Sequence, residues 1–170
     1  MRSIVNKADS SERSAALKCF IAMAFDKDHS ETLCNVIESV LRRRGIRPVV
    51  INRLNHNDDI DDRIRSEIRS SDIIIADLTY ARPSVYYEAG FAQRTSPVIY
   101  TVRKDHFRPK SDDEHGNFKV HFDLQMKNII PWAMPSEQRF VDRLSRRIAL
   151  VAAPILKRKA LEQGLGTEAL

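Results

Sequence analysis

The sequence predicts a single α/β domain with a parallel sheet of about five strands and helices on both faces. Short apolar runs alternate with segments whose apolar residues recur every three or four positions, which is typical of strands alternating with amphipathic helices. The length of 170 residues suits one domain with one core. Strands that alternate with helices favour a parallel sheet, and right-handed crossovers place the helices on both of its faces.

The predicted strands are continuous apolar runs, as expected where a strand is buried on both faces. The clearest is an Ile-rich run with an acidic residue near each end, which is typical of a central parallel strand. The five runs are Leu17–Met23, Pro48–Ile51, Asp72–Leu78, Pro97–Val102 and Ile129–Ile130.

The predicted helices carry an apolar stripe in a charged background. A helix over 30–44 has Ser30 as its N-cap candidate and Gly45 as its stop. Pro83 is suited to start a short helix that ends near Gln93, because a proline at the first helical position loses no needed hydrogen-bond donor. The other two stripes are Ile60, Ile64 and Ile68, and Phe140, Leu144, Ile148, Val151 and Ile155.

The sequence divides into a domain with two flexible ends. Residues 1–16 are polar without a period and predict a flexible leader, residues 17–156 form the domain, and residues 157–170 are predicted to be a flexible tail. The polar stretch 103–127 is long for a loop, and such loops are usually functional or mobile, so it is a candidate lid.

Composition excludes several classes of protein. At 42% hydrophobic and 30% charged residues the chain is globular rather than disordered. It has no run near the roughly 18 apolar residues that span a membrane and no secretory signal, so we expect a cytoplasmic protein. The net charge of +5 is modest and partly sits in two basic clusters that suit helix ends, 42–44 and 157–159, so nucleic acid is an unlikely partner.

No cofactor or metal is expected from the sequence. Cys19 and Cys34 match neither a disulfide framework nor a metal-ligand spacing, and both are expected to be buried, reduced thiols. The five histidines have no metal-ligand spacing, and there is no glycine-rich dinucleotide or phosphate loop.

Two carboxylates are placed where a parallel sheet binds ligands, at the carboxyl ends of its strands. Asp77 ends the third predicted strand, and Glu88 follows in the first turns of the next helix. Two interpretations remain open from position alone. Both groups could face a cleft, or Asp77 could accept backbone N–H groups of the following turn while Glu88 offsets the helix dipole or pairs with Arg53 or Arg103.

One segment resembles a known family. The string SDIIIADLTYARPSVYYEAGFAQ, followed by SPVIYTV, is similar to the central motif of the nucleoside 2-deoxyribosyltransferase-like family, which is related to TIR-type domains. The resemblance extends over about residues 17–150 and implies a flavodoxin- or TIR-like fold. It implies that Glu88 is the nucleophile that attacks the anomeric carbon of a nucleoside or nucleotide and releases the base. TIR-type relatives use a comparable glutamate to split the nicotinamide bond of NAD.

The sequence departs from this family at two places. The position of its second catalytic aspartate is Ile64, with Asp61 one turn earlier as a substitute that could assist the leaving base. The family's Asn-Pro-Asn turn is Arg82-Pro83-Ser84 here, and Arg82 there could contact a phosphate or simply be exposed.

The resulting hypothesis is hydrolysis or transfer of the N-glycosidic bond of a nucleoside, a deoxynucleotide or NAD. Glu88, Asp77 and Asp61 are the catalytic candidates. The substrate-binding candidates are Met23 and Phe25 as an apolar wall, Tyr86 and Tyr87 for stacking or core packing, and Arg53, Arg82 and Arg103 for phosphate. The alternative is a catalytically silent nucleotide-sensing or TIR-like assembly module. A homo-oligomer is expected, because small pockets of this kind are often completed across a subunit interface.

Overall fold

The structure is a computed structural model that describes residues 17–51, 60–107 and 119–167. The predicted leader, Arg53 and residues 108–118 of the candidate lid lie outside these residues. Within them the chain forms five strands, β1 Lys18–Ala22, β2 Arg47–Val49, β3 Ile73–Asp77, β4 Val98–Arg103 and β5 Ile129–Trp132. The helices are α1 Ser30–Arg43, α2 Ile60–Arg69, α3 Pro83–Ala92, α4 Phe122–Gln125 and α5 Gln138–Thr167.

The five strands form one parallel sheet in the order β2-β1-β3-β4-β5. This is the flavodoxin-like order, in which the chain moves outward from β1 to one side and then crosses over to build the other side. The predicted α/β class, the parallel sheet and the approximate strand number are confirmed. The point where the order reverses, between β1 and β3, is where such sheets bind ligands.

Helices cover both faces of the sheet, as predicted. Alternate residues of β3 point to opposite faces: Ile73 and Ile75 pack with α1 and α5, whereas Ile74 and Ala76 pack with α2 and α3. All five residues of β3 are buried because the strand is central and covered on both faces. This alternation therefore determines which side chains of β3 lie on the same face of the sheet as the candidate site.

The last helix is longer than predicted. We expected the domain to end at residue 156, but α5 continues to Thr167. The apolar stripe ends near Ile155, and the residues after it are mostly Lys, Ala, Leu, Glu and Gln, which are strong helix formers; Lys159 among them also pairs with Asp72, 2.7 Å from its Oδ1. Helix propensity thus extends the helix where the burial pattern predicted its end.

The candidate lid region contains helical turns on both sides of its undescribed part. A 3₁₀ turn covers Lys104–His106 and the four-residue helix α4 covers Phe122–Gln125. The intervening residues 108–118 lie outside the described residues, so closure over a ligand stays a prediction.

Both edge strands of the sheet are short and contain a proline. Strand β2 has three residues with Pro48 in the middle, and β5 has four residues including Pro131. Proline lacks the N–H that a central strand needs and is tolerated at a sheet edge. No helix in the described part of the chain is both long and apolar enough to cross a membrane.

Both thiols are predicted to react slowly with iodoacetamide while the protein is folded. Cys19 is buried in β1 and Cys34 is partly buried on α1. Burial, helped by the charge of Glu38, raises the pKa of Cys34 to about 11, and burial also raises that of Cys19. Because only the thiolate reacts, alkylation of Cys34 at pH 8 should be roughly 100-fold slower than in the unfolded chain. Mass spectrometry with and without denaturant measures this, and equal rates would contradict it.

Candidate active site

A cavity of about 290 Å³ opens at the carboxyl end of β1, beside the point where the strand order reverses. Its walls are mainly apolar and come from β1 and the loop after it, from the end of β2 and from α2; they include Phe20, Met23, Phe25, Ile51 and Ile64. Met23 and Phe25 were both predicted to line a pocket, and both do so. An apolar cleft with a few convergent polar groups is the usual form of a small-molecule site.

The polar groups of the described lining are Glu88, Asp26, Arg82 and Ser84. Glu88 is placed by α3, which begins at Pro83. Val85, Ala89 and Ala92 form the inward stripe of that helix, and Glu88 lies on the same side one turn after Val85. The carboxyl group is therefore carried into the wall of the cavity, with only 6% of the residue exposed. A carboxylate is costly to desolvate, so its burial in a ligand-sized cavity makes Glu88 a candidate functional group.

An ion pair spans the mouth of the cavity. The Nη2 of Arg82, just before α3, lies 2.8 Å and 2.6 Å from the two carboxylate oxygens of Asp26, in the loop after β1. The Nζ of Lys27 is 3.6 Å from the same carboxylate. Partial desolvation opposes ionisation of Asp26, but its own backbone N–H and the charges of Arg82 and Lys27 outweigh it and hold its pKa below the usual value. Asp26 is thus ionised at neutral pH.

The structure does not bring Asp77 to this cavity. In the alternation along β3, Asp77 lies on the same face as Ile73 and Ile75, which is the face covered by α1 and α5. Glu88 approaches the sheet from the other face. The Oδ2 of Asp77 accepts hydrogen bonds from Thr101 Oγ1 at 2.6 Å and Trp132 Nε1 at 2.8 Å, and its Oδ1 accepts one from the backbone N–H of Thr79 at 3.1 Å. Of the two interpretations left open by the sequence, the one in which Asp77 accepts bonds from the following turn fits the structure; Asp77 does not line the cavity that Glu88 lines.

The catalytic candidate on α2 also lies away from the cavity. Asp61 is exposed and does not line it, whereas Ile64 on the same helix is 4% exposed and does. Residues three apart share a helix side only approximately, and the core-facing stripe of Ile64 and Ile68 fixes the rotation of α2. Asp61 is therefore rotated out toward solvent.

The two tyrosines next to Glu88 lie outside the cavity lining. Tyr86 packs against the core, and its hydroxyl accepts the backbone N–H of His121 at 2.9 Å. Desolvation outweighs this contact and raises the pKa of Tyr86. Tyr87 is 57% exposed and stacks on Phe91 with ring centroids 6.3 Å apart. Of the two roles considered from the sequence, stacking on a ligand and packing in the core, core packing fits Tyr86.

Arg103 is held in a separate cluster at the carboxyl edge of β4. Its Nε donates to Asp105 Oδ1 at 2.7 Å and its Nη1 to the Tyr80 hydroxyl at 3.0 Å. Tyr80 and the following Ala81 have positive φ values of 67° and 45°, in the turn between β3 and α3. This cluster braces a strained turn, and Arg103 does not line the cavity.

Asp26, Ser84 and Ile64 line the cavity although none of them was among the site candidates singled out from the sequence. Asp26 falls in the stretch after the first predicted strand. Its position at the carboxyl end of that strand was therefore the sequence signal for a place in the site. In the described ranges no group of three or more His, Cys, Asp or Glu side chains is arranged to hold a metal ion.

Comparison with solved structures supports the fold. The chain is similar to a CMP N-glycosidase, BcmB, of Clostridium botulinum, at 17% identity over 76% of this chain and 98% of that chain, with a TM-score of 0.51. It is also similar to a conserved protein of Enterococcus faecalis V583, at 15% identity over 78% of this chain and 99% of that chain, with a TM-score of 0.53. The RPS4 and RRS1 TIR domain heterodimer matches at 12% identity over 80% and 97% of the chains, with a TM-score of 0.49.

No protein-family model matches the chain, and no curated protein is significantly similar to it in sequence. At these low identities the likeness to solved structures extends to the fold alone. The resemblance to nucleoside 2-deoxyribosyltransferases is therefore supported as a related fold.

Proposed function

We propose that this protein cleaves the N-glycosidic bond of a nucleoside or nucleotide in the cavity at the carboxyl end of β1. The observation that carries the proposal is the carboxyl group of Glu88, which is buried in the wall of an apolar cavity of ligand size. Its sequence context resembles the family motif in which the matching glutamate is the nucleophile. The likeness to a CMP N-glycosidase supports this at the level of the fold.

The chemistry requires a negative charge beside the sugar. When the bond between the anomeric carbon and the base nitrogen breaks, its electron pair leaves with the base and the sugar becomes oxocarbenium-like. A carboxylate in a water-poor site stabilises that charge or forms a covalent bond to the carbon, which water or another base then breaks. Glu88 is assigned this role. Met23 and Phe25 supply apolar walls that exclude water around it.

The size of the cavity favours a mononucleoside or mononucleotide over a dinucleotide such as NAD. About 290 Å³ is at the lower end of small-molecule sites. Of the substrates considered from the sequence, a nucleoside or a deoxynucleotide is therefore a better candidate than NAD.

Incubation of the wild-type protein with nucleosides, deoxynucleotides, ribonucleotides and NAD tests the proposal directly. Liquid chromatography separates free base from substrate, and we expect sustained base release from at least one mononucleoside or mononucleotide, with less from NAD. The absence of base release from every member of the panel would contradict the proposal.

A second function, nucleotide binding without turnover, is favoured by one observation. Ile64 lies on the cavity wall where transferases of the resembled family carry a second carboxylate. The other carboxylate of the described lining, Asp26, is ion-paired with a lowered pKa and is poorly suited to protonate a leaving base. Calorimetric binding without base release would support this alternative. The expected homo-oligomer stays a prediction for sedimentation analysis.

A further inference from the structure

The ion pair at the cavity mouth bears on which substrates can enter. Arg82 is the only cation among the described residues that line the cavity, and both oxygens of the Asp26 carboxylate lie within 2.8 Å of its Nη2. A phosphate group is recognised by guanidinium or ammonium groups that are available to it. Here the one guanidinium in the described lining already has a carboxylate partner.

The charge of Asp26 also opposes an anionic ligand. The side chain of Asp26 is 65% exposed beside Arg82, so a ligand that approaches this guanidinium also meets this carboxylate. Lys27 contacts Asp26 from outside the lining and lies over the Tyr80 ring, 6.0 Å from its centroid. A dianionic phosphate placed against Arg82 would therefore be repelled by the carboxylate of Asp26. A hydroxyl group, in contrast, can donate to a carboxylate, and sugars present several.

We propose that the cavity selects an uncharged nucleoside over its 5′-phosphate, and that Asp26 is the residue that determines this selectivity. The proposal rests on the proposed function for the location of the site. Asp26 acts in two ways: it accepts hydrogen bonds from sugar hydroxyls, and it occupies the arginine that would otherwise hold a phosphate. Arg82, considered from the sequence as a phosphate ligand, is on this reasoning a partner that orients Asp26.

Neutralising Asp26 should reverse the preference. In Asp26→Asn the shape is retained, but Arg82 loses its counter-charge. We expect the ratio of nucleoside to 5′-monophosphate efficiency, kcat/KM, to favour the nucleoside about tenfold in the wild type. In Asp26→Asn it should shift toward the monophosphate by about tenfold.

The experiment uses the four common nucleosides, each paired with its 5′-monophosphate, and the full chain. For pairs that release base, kcat/KM is compared; for pairs that do not, Kd is measured by calorimetry. Asp28→Asn is the matched control, because Asp28 is an exposed acidic residue two positions away that does not line this cavity. Asp26→Asn combined with Arg82→Gln should lose the gained monophosphate preference.

A wild type that prefers the monophosphate, or an unchanged ratio in Asp26→Asn, would overturn the proposal. Failure to bind any of the eight compounds would overturn it as well. Selective nucleoside binding without base release would sustain Asp26 as the determinant of selectivity and contradict only the proposed function. The two proposals can thus fail separately.

Discussion

Replacing Glu88 by glutamine is expected to lower kcat for base release by at least about 10³-fold, with a much smaller change in KM. Glutamine keeps the size of the side chain, so the cavity that Glu88 lines retains its shape. It removes the negative charge that stabilises an oxocarbenium-like sugar and has no carboxylate oxygen to attack the anomeric carbon. The measurement is the initial rate of base release on the most active substrate of the panel.

The same variant should fold as well as the wild type, because a neutral amide is easier to bury than a carboxylate. Its thermal midpoint therefore separates a catalytic loss from a folding defect. Glu31→Gln is the matched control: Glu31 is exposed in the first turn of α1, on the opposite face of the sheet. Wild-type rates in a folded Glu88→Gln protein would show that this carboxylate is not the catalytic group.

Replacing Asp77 by alanine is expected to lower the free energy of unfolding by at least about 3 kcal/mol. The side chain is 3% exposed and accepts hydrogen bonds from Thr79, Thr101 and Trp132. Its removal leaves a hydroxyl, an indole N–H and a backbone N–H in a buried region without their acceptor. It also removes the hydrogen bonds that connect the carboxyl ends of β3, β4 and β5.

Chemical denaturation measures the change, with Asp123→Ala as the control. Asp123 is exposed on α4, and its replacement should alter stability by no more than about 0.5 kcal/mol. A loss below about 1 kcal/mol for Asp77→Ala would mean that the hydrogen-bond cluster contributes little. In folded Asp77→Asn, a strong fall in kcat at unchanged stability would instead restore the catalytic role considered from the sequence.

Much of the fold could be predicted because burial on both faces leaves a clear record in the sequence. Runs such as Ile73–Ile75 cannot alternate with polar residues when helices cover both sides, so they stand out from the amphipathic helices around them. The continuation of α5 beyond Ile155 could not be predicted in this way. Residues of high helix propensity such as Lys, Ala and Leu continue the helix after its apolar stripe has ended, and the hydrophobic pattern carries no sign of this.

The candidate site was predictable only in part. The edge of the sheet and the segment carrying Glu88 follow from the rule that ligands bind at the carboxyl ends of parallel strands. The same rule does not predict on which face of the sheet each side chain lies. Because both faces of β3 are apolar, the pattern around Asp77 carries no sign of which face α3 covers.

Side chains that reach across loops were the least predictable. Asp26 and Arg82 are 56 positions apart and meet only because the β1 loop and the start of α3 converge. Arg103 was assigned to the ligand because it follows a strand, yet its neighbours Tyr80 and Asp105 already engage its guanidinium. The position of a residue in the sequence predicts the edge of the sheet at which it lies. Whether its charge is already neutralised by another side chain depends on tertiary contacts.

The prolines of β2 and β5 have a consequence for how copies of this chain can meet. An open sheet is normally at risk of growing sideways, because an exposed strand offers a ladder of donors and acceptors to another molecule. Pro48 and Pro131 each remove one donor from margins that are only three and four residues long. Lateral fusion of two sheets into a continuous one is thereby disfavoured at both margins.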